Sequence, residues 1–208
     1  MAATTLVLLR HATTAATGRR LGGRKPGFHL DAAGRVQAEA AARRLAGLPV
    51  AAVYASPLER TRETALPVAR AHGLRVRIDR GLLEVDYGDW TDRPLAQLRR
   101  RALWSTIQHA PSRVTFPGGE SIRGAQQRAV ETTERLAAVH RGGTIVLVSH
   151  ADVIKAVVAH HLGMGLDLFQ RLVISPASST VLVLPDGAAP MLVGMNDTSD
   201  PGADAARP

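Results

Sequence analysis

The chain alternates short aliphatic runs with longer stretches rich in Ala and Arg. Leu6-Val7-Leu8-Leu9 and Ile145-Val146-Leu147-Val148 are continuously apolar and strand-sized. That is the pattern of strands buried on both faces in a parallel sheet. VAAVYAS (50–56) and LRVRID (74–79) predict two more strands, and SSTVLVLPDGAAPMLVGMND (178–197) predicts a hairpin turning near Asp186-Gly187. Between the strands lie helical stretches. One opens after Asp31, which can cap it, and stops at Gly47 and Pro49. A second is expected to start in a capping box of Ser56, Pro57 and Glu59 and to end at Gly73. A short helix is expected over Leu95–Gln108. A longer one follows GESI (119–122) and ends at Gly142-Gly143, and the last is ADVIKAVVAHHLG (151–163). Residues 12–29, rich in Gly, Thr and Arg, predict a long loop of the kind that often carries function. The repeated strand–helix order predicts an α/β fold: a three-layer α/β/α sandwich with a mostly parallel central sheet and an antiparallel edge. One domain is expected over residues 1–195. The polar, Pro-containing remainder, 196–208, is expected to be a disordered tail.

Composition narrows the class. With 208 residues, 45% hydrophobic content and a mean hydropathy of −0.01, a soluble globular domain is expected. The apolar runs are strand-sized and the N-terminus lacks a signal-peptide pattern, so a cytoplasmic protein with no membrane partner is expected. The chain has no cysteine, which rules out disulfides, thiolate metal sites and a cysteine nucleophile. The net charge is +8, and Lys25 and Lys155 are the only lysines among 26 basic residues. Arginine holds phosphate and carboxylate through a planar fork. Aromatic content of 3% supplies no base-stacking platform, so no nucleic-acid partner is expected.

Candidate chemistry stands at the strand ends. The first aliphatic run ends in Arg10-His11 and the later one in Ser149-His150. In open α/β sheets, ligands bind at the carboxyl ends of the strands. Two such strands lying side by side would bring His11 and His150 to one rim. The helix expected after Ser56 carries Arg60 in its first turn. A helix N-terminus favours an anion, and Arg60 with Arg10 would add two fixed positive charges. A phosphate ester fits that count.

Five motifs, in order, resemble the histidine phosphatase superfamily, which includes the cofactor-dependent phosphoglycerate mutases. They are LLRHATT, SPLERTRETA, LLEVDYGDW, FPGGESI and SHADVI, spread over roughly residues 5–185. Within the superfamily the chain looks most like an actinobacterial group of phosphomutase-like proteins. The resemblance implies a phosphoglycerate mutase-like fold and a phosphohistidine mechanism. His11 would be the nucleophile, Glu84 the proton donor, and Arg10, Arg60 and His150 the phosphate ligands. Thr17 stands where an Asn of the family commonly donates to phosphate. Tyr87, Trp90 and Asp152 are candidates for the substrate side, and Asp152 is also a rival acid. No metal and no cofactor is implied, because the arginines can neutralise the phosphate. The partner would be a small phosphorylated metabolite; a homodimer is left open.

Ala12 and Ala151 replace the family's glycines after each histidine, which should alter the pocket's shape. The stretch from Glu84 to Gly119 is short, as in compact phosphatases rather than mutases. Hydrolysis of a small phosphomonoester is therefore the preferred reading. A phosphomutase is the alternative, and a catalytically inactive phospho-ligand binding module the third. His160-His161 are read as ordinary, because adjacent helical residues point in different directions.

Overall fold

The computed structural model describes residues 2–201. Eight strands and six α-helices follow one another: β1 (Ala3–Arg10), β2 (Arg20–Leu21), α1 (Ala32–Leu45), β3 (Val50–Ala55), α2 (Glu59–Ala71), β4 (Val76–Ile78), β5 (Arg93–Pro94), α3 (Leu95–Leu98), α4 (Ala102–His109), α5 (Ile122–Val139), β6 (Thr144–Ser149), α6 (Ala151–His161), β7 (Ser179–Pro185) and β8 (Met191–Asp197). Six strands form one sheet in the order β4-β3-β6-β1-β7-β8. The first four are parallel, and the hairpin β7-β8 closes the edge antiparallel. The mostly parallel sheet with an antiparallel edge is thus as expected. A separate two-stranded antiparallel sheet, β2 with β5, ties the loop after β1 to the segment beyond Trp90.

The continuously apolar strands have helices on both faces because side chains alternate sides along a strand. Val7 and Leu9 of β1, with Val146 and Val148 of β6, pack against Ala41, Ala42 and Leu45 of α1 and Ala65, Val68 and Ala69 of α2. Leu6, Leu8, Ile145 and Leu147 point the other way, toward Ala125, Ala129 and Leu136 of α5 and Val153, Ile154 and Val157 of α6. Fully burying one such aliphatic side chain is worth about 1.5–3 kcal/mol, so both layers are held firmly. This is the three-layer sandwich.

Local differences from the sequence reading have identifiable causes. Asp31 caps α1 as expected, its Oδ1 accepting from Gly34 N at 2.7 Å. Ser56 does not cap α2. The helix starts at Glu59 with Leu58 at its N-cap and no side-chain cap, while the Ser56 hydroxyl lies 3.1 Å from His150 Nε2. The helix expected over 95–108 is two, α3 and α4. Residues 12–29 are not pure loop: they contain β2, and Thr14 bridges Leu30. Strand β8 runs through Asp197, past the domain boundary read at 195, and Arg43 donates to Asp200 through Nε (3.0 Å) and Nη2 (2.8 Å). Of the tail expected to be disordered, residues 202–208 lie outside the described residues. Among the described residues no helix is long and apolar enough to cross a membrane.

Candidate active site

Three strand ends converge. In the β1–β6 register Arg10 lies opposite Ser149, and His11 N donates to Ser149 O at 2.9 Å. His11 and His150 are therefore neighbours, with ring centroids 5.3 Å apart. Ser56, at the end of β3, donates its N–H to Val148 O at 3.1 Å, which sets the start of α2 and with it Arg60 beside the two rings. The sheet register alone places four of the expected residues within one rim.

Each imidazole has a defined tautomer. His11 Nδ1 is 2.8 Å from Ala12 O. A carbonyl only accepts, so Nδ1 carries the proton and Nε2 keeps its lone pair. His150 Nδ1 lies 3.3 Å from Arg60 Nη2 and its Nε2 lies 3.1 Å from Ser56 Oγ. A guanidinium only donates, so His150 Nδ1 accepts and its Nε2–H donates to Ser56. Burial, with Arg60 and Arg10 alongside, pushes His11 down to about 3. The same causes push His150 well below 6.5. Both rings are neutral at pH 7.

Arg60 is buried, Arg10 is part-buried, and both are only partly bonded. Arg60, 3% exposed, donates Nη2 to Gly23 O at 2.7 Å, while Arg10 donates Nη1 to Ile174 O at 2.6 Å. Arg60 Nη1 and Arg10 Nε are buried with no protein acceptor. Buried charged donors without partners are costly. Here both belong to arginines whose charge acts on His11.

Glu84 reaches the same rim from another direction. It follows a short 3₁₀ turn over Arg80–Leu82, and its chain is anchored by side-chain bonds to backbone carbonyls. The Ser149 hydroxyl donates to Leu82 O at 2.8 Å. Arg128 of α5 donates to Gly81 O and Leu83 O at 2.6 and 3.0 Å, and Arg24 Nε to Glu84 O at 2.8 Å. Between these arginines sits Glu120, whose Oε1 accepts from Arg24 (2.7 Å), Arg128 (2.8 Å) and Asp86 N (2.9 Å). The Glu84 carboxyl is buried, with Val85 N donating to Oε1 at 2.9 Å and His150 Nδ1 lying 3.8 Å from Oε2. Burial first, then the Asp152 charge, raises Glu84 to about 7.

A cavity of about 260 Å³ opens above these groups. Arg10, His11, Thr17, Arg60, Glu84, Tyr87 and Asp152 all line it, so the structure gathers most of the expected residues. Tyr87 donates to Asp152 Oδ2 at 2.9 Å, and Lys155 lies 3.6 Å from Oδ1. Burial raises Tyr87 well above 10 and keeps its proton in place. Thr17 Oγ1 accepts from Thr14 N at 2.9 Å, so part of its capacity shapes its own loop. His150 is fully buried behind His11 and Arg60 rather than lining the cavity. Trp90 is not brought to the cavity. It is buried against Phe116, ring centroids 5.8 Å apart.

The two alanines that replace glycine differ in position. Ala12 is buried with Leu30, Ala38 and Ala177 and does not line the cavity, whereas Ala151 does. The GDW and PGGES stretches are explained by close backbone approach. A Cβ on Gly88 would lie 2.2 Å from Pro117 O, and one on Gly119 would lie 2.2 Å from Asp86 O. Glycine is needed at both because two chains meet there. Arg24, Glu120 and Arg128 support the site although the sequence implies no role for them. The carboxylate of the PGGES motif was the available signal. His160 and His161 do approach one another, contrary to expectation. With Glu134 they bring one potential metal-ligand atom each within 4.8 Å, at the far end of α6 from His150.

Comparisons with known proteins bear on the family and the fold. The family model for branch 1 of the histidine phosphatase superfamily matches residues 6–198. A bifunctional protein of Mycobacterium tuberculosis is 36% identical over 197 residues, covering 89% of this chain and 52% of that protein. The chain thus spans about half the length of that relative. Phosphoserine phosphatase 1 of Hydrogenobacter thermophilus is 30% identical over 181 residues, 85% of either chain. The solved structure of a mycobacterial glucosyl-3-phosphoglycerate phosphatase superposes with a TM-score of 0.85 at 29% identity, covering 93% of this chain and 99% of that one. On the family match, the gathered residues and the fold, the chain belongs to branch 1 of the histidine phosphatase superfamily.

Proposed function

We propose that the protein is a phosphatase that hydrolyses a small phosphomonoester through a phosphohistidine on His11, without a metal ion. The observation that carries this reading is the His11 ring. Its Nδ1 proton is held on Ala12 O, which leaves Nε2 with its lone pair, and His11 lines one cavity with Arg10 and Arg60, each of which has a buried N–H group with no protein acceptor. Phosphoryl transfer asks for positioning and charge neutralisation more than for covalent activation. Arg10 and Arg60 supply two positive charges for a phosphate dianion, so metal assistance is not required by the charge count.

In the first step His11 Nε2 bonds to phosphorus as the P–O ester bond breaks. The proton of Glu84 passes to the departing alkoxide. In the second step water attacks the phosphohistidine and gives a proton to the Glu84 carboxylate. The P–N bond breaks, and inorganic phosphate, neutral His11 and protonated Glu84 are restored. A general acid works best with a pKa near the working pH, and Glu84 at about 7 meets that requirement. Asp152 is the weaker candidate for the acid, since it accepts from Tyr87 and sits beside Lys155.

The test is phosphate release from a panel of small phosphomonoesters in EDTA, with wild type and His11→Ala side by side. Turnover by the wild type is expected to fall by about a thousandfold or more in the variant, the scale of removing a nucleophile. A folded His11→Ala protein with normal turnover would refute the mechanism. Turnover that appears only with a bisphosphate primer would make the protein a phosphomutase, and no turnover with retained binding would make it a binding module.

A further inference from the structure

The wall opposite the phosphate position carries its own chemistry. The cations that line the cavity are Arg10, Arg60 and Arg20. Arg10 and Arg60 flank His11, where the phosphate takes them. Arg20 donates Nε to Asp92 Oδ1 at 2.5 Å, and Lys25 donates to the other oxygen of the same carboxylate at 2.5 Å. Arg24 and Arg128 are committed to Glu120. Arg20 and Lys25 thus share the Asp92 carboxylate, and Lys155 is the cation that pairs with Asp152. Beside Glu84, Asp152 is the carboxylate in the cavity lining. Tyr87 hydroxyl, the other polar group of that wall, already donates to it. Its Lys155 partner stands at 3.6 Å, beyond good hydrogen-bond distance, so the carboxylate retains lone pairs for a further donor. Leu21, Phe28 and Leu95 complete the wall with apolar surface.

We infer that Asp152 selects phosphomonoesters whose alcohol portion carries hydroxyl groups and no carboxylate. The inference rests on the phosphatase reading above. A substrate hydroxyl donates to a carboxylate and gains a charge-assisted bond. A substrate carboxylate at the same place meets the like charge of Asp152, which only Lys155, at 3.6 Å, offsets locally. Of the relatives, one is named for phosphoserine and another for glucosyl-3-phosphoglycerate. Both esters carry a carboxylate, so the inference predicts a leaving-group preference different from the one those names imply.

Glycerol 3-phosphate and 3-phosphoglycerate form a matched pair that differs by CH₂OH against COO⁻. With wild-type protein, kcat/KM is expected to favour glycerol 3-phosphate by about tenfold or more. The difference should sit in KM, because the repulsion acts on bound substrate and transition state alike. Asp152→Asn should shrink the preference toward parity by improving KM for 3-phosphoglycerate, and Asp152→Glu should keep it. Equal or better use of 3-phosphoglycerate by the wild type, or a preference untouched in Asp152→Asn, would overturn the inference. Calorimetric titration of both esters into His11→Ala protein reads the same selectivity without turnover. Selective binding there without hydrolysis by the wild type would sink the phosphatase reading and keep this one. Hydrolysis of p-nitrophenyl phosphate with no such selectivity would do the reverse.

Discussion

The two sides of the cavity are built in different ways. On the phosphate side, His11, His150 and Ser56 stand at the ends of three adjacent parallel strands, and Arg60 lies in the first turn of the following helix. Their positions follow from sheet register, with β1 and β6 paired at Arg10 and Ser149. On the leaving-group side, Glu84 and Tyr87 come from the loop that follows a 3₁₀ turn, and Asp152 from the first turn of α6. Glu84 in particular is held by side-chain donors on backbone carbonyls and by the Glu120 pairings. The difference teaches where change is tolerated. Backbone ladders buried in a core resist single substitutions, whereas a carboxyl held by a few polar side chains can be moved by one. On the proposed mechanism, the chemistry common to phosphoryl transfer sits on the rigid side, and the part that must suit a particular alcohol sits on the adjustable side.

The largest expected effect separates the two sides by leaving group. Glu84→Gln keeps the shape but cannot give up a proton. Esters of simple alcohols, whose alkoxides need protonation, should slow by roughly 10²–10⁴-fold. p-Nitrophenyl phosphate, with its stable phenolate, should slow by under about tenfold. Wild-type kcat/KM toward an alkyl ester should also fall as pH rises through about 7, where Glu84 loses its proton, and the variant should lose that limb. Equal slowing of both substrates would move the acid role away from Glu84, with Asp152 the next residue to test.

The same carboxyl makes a stability prediction with a definite sign. Folding raises Glu84 from 4.5 to about 7, so between those values the folded state binds more protons than the unfolded one. Stability contributed by the protonated form is complete below pH 4.5 and is lost as pH rises toward 7. Between pH 5 and pH 8, wild type should lose on the order of 2 kcal/mol relative to Glu84→Gln. Urea unfolding of both proteins at both pH values measures this. A pH-independent difference would mean that the carboxyl is not desolvated in the folded protein.

The rigid side was also the legible side. A buried parallel strand announces itself by four consecutive aliphatics, and its first polar residue then marks the strand end, so His11 and His150 could be found without coordinates. Arg60 was legible through the strand–turn–helix order, although Ser56 serves His150 rather than the helix. The adjustable side was legible only through the family resemblance. Nothing in the local pattern around Trp90 tells whether an indole faces a cavity or Phe116. Arg24 is far in sequence from Glu120 and Arg128 and reaches Glu120 from the loop after β1, where no periodicity reports contact. His160 and His161 escaped for a related reason: their approach involves Glu134 on another helix.

The smallest effect tests the hinge between the sides. Glu120 Oε1 accepts from Arg24, from Arg128 and from Asp86 N, and both arginines donate onward to carbonyls of the 81–84 segment. Glu120→Gln keeps the side-chain length but removes the anion that holds two guanidiniums together. The 81–84 segment should loosen, and misplacement on the ångström scale is enough to cost rate. We expect kcat toward alkyl phosphates to fall by about tenfold, with p-nitrophenyl phosphate changed by under about twofold. The acid works less well, while His11, Arg10 and Arg60 keep their places on the sheet. A crystal structure of the variant should show the displacement confined to residues near 81–87. Equal losses on both substrates would mean that the Glu120 pairings also support the phosphate side, and the division of the cavity into a register-built half and a loop-built half would fail.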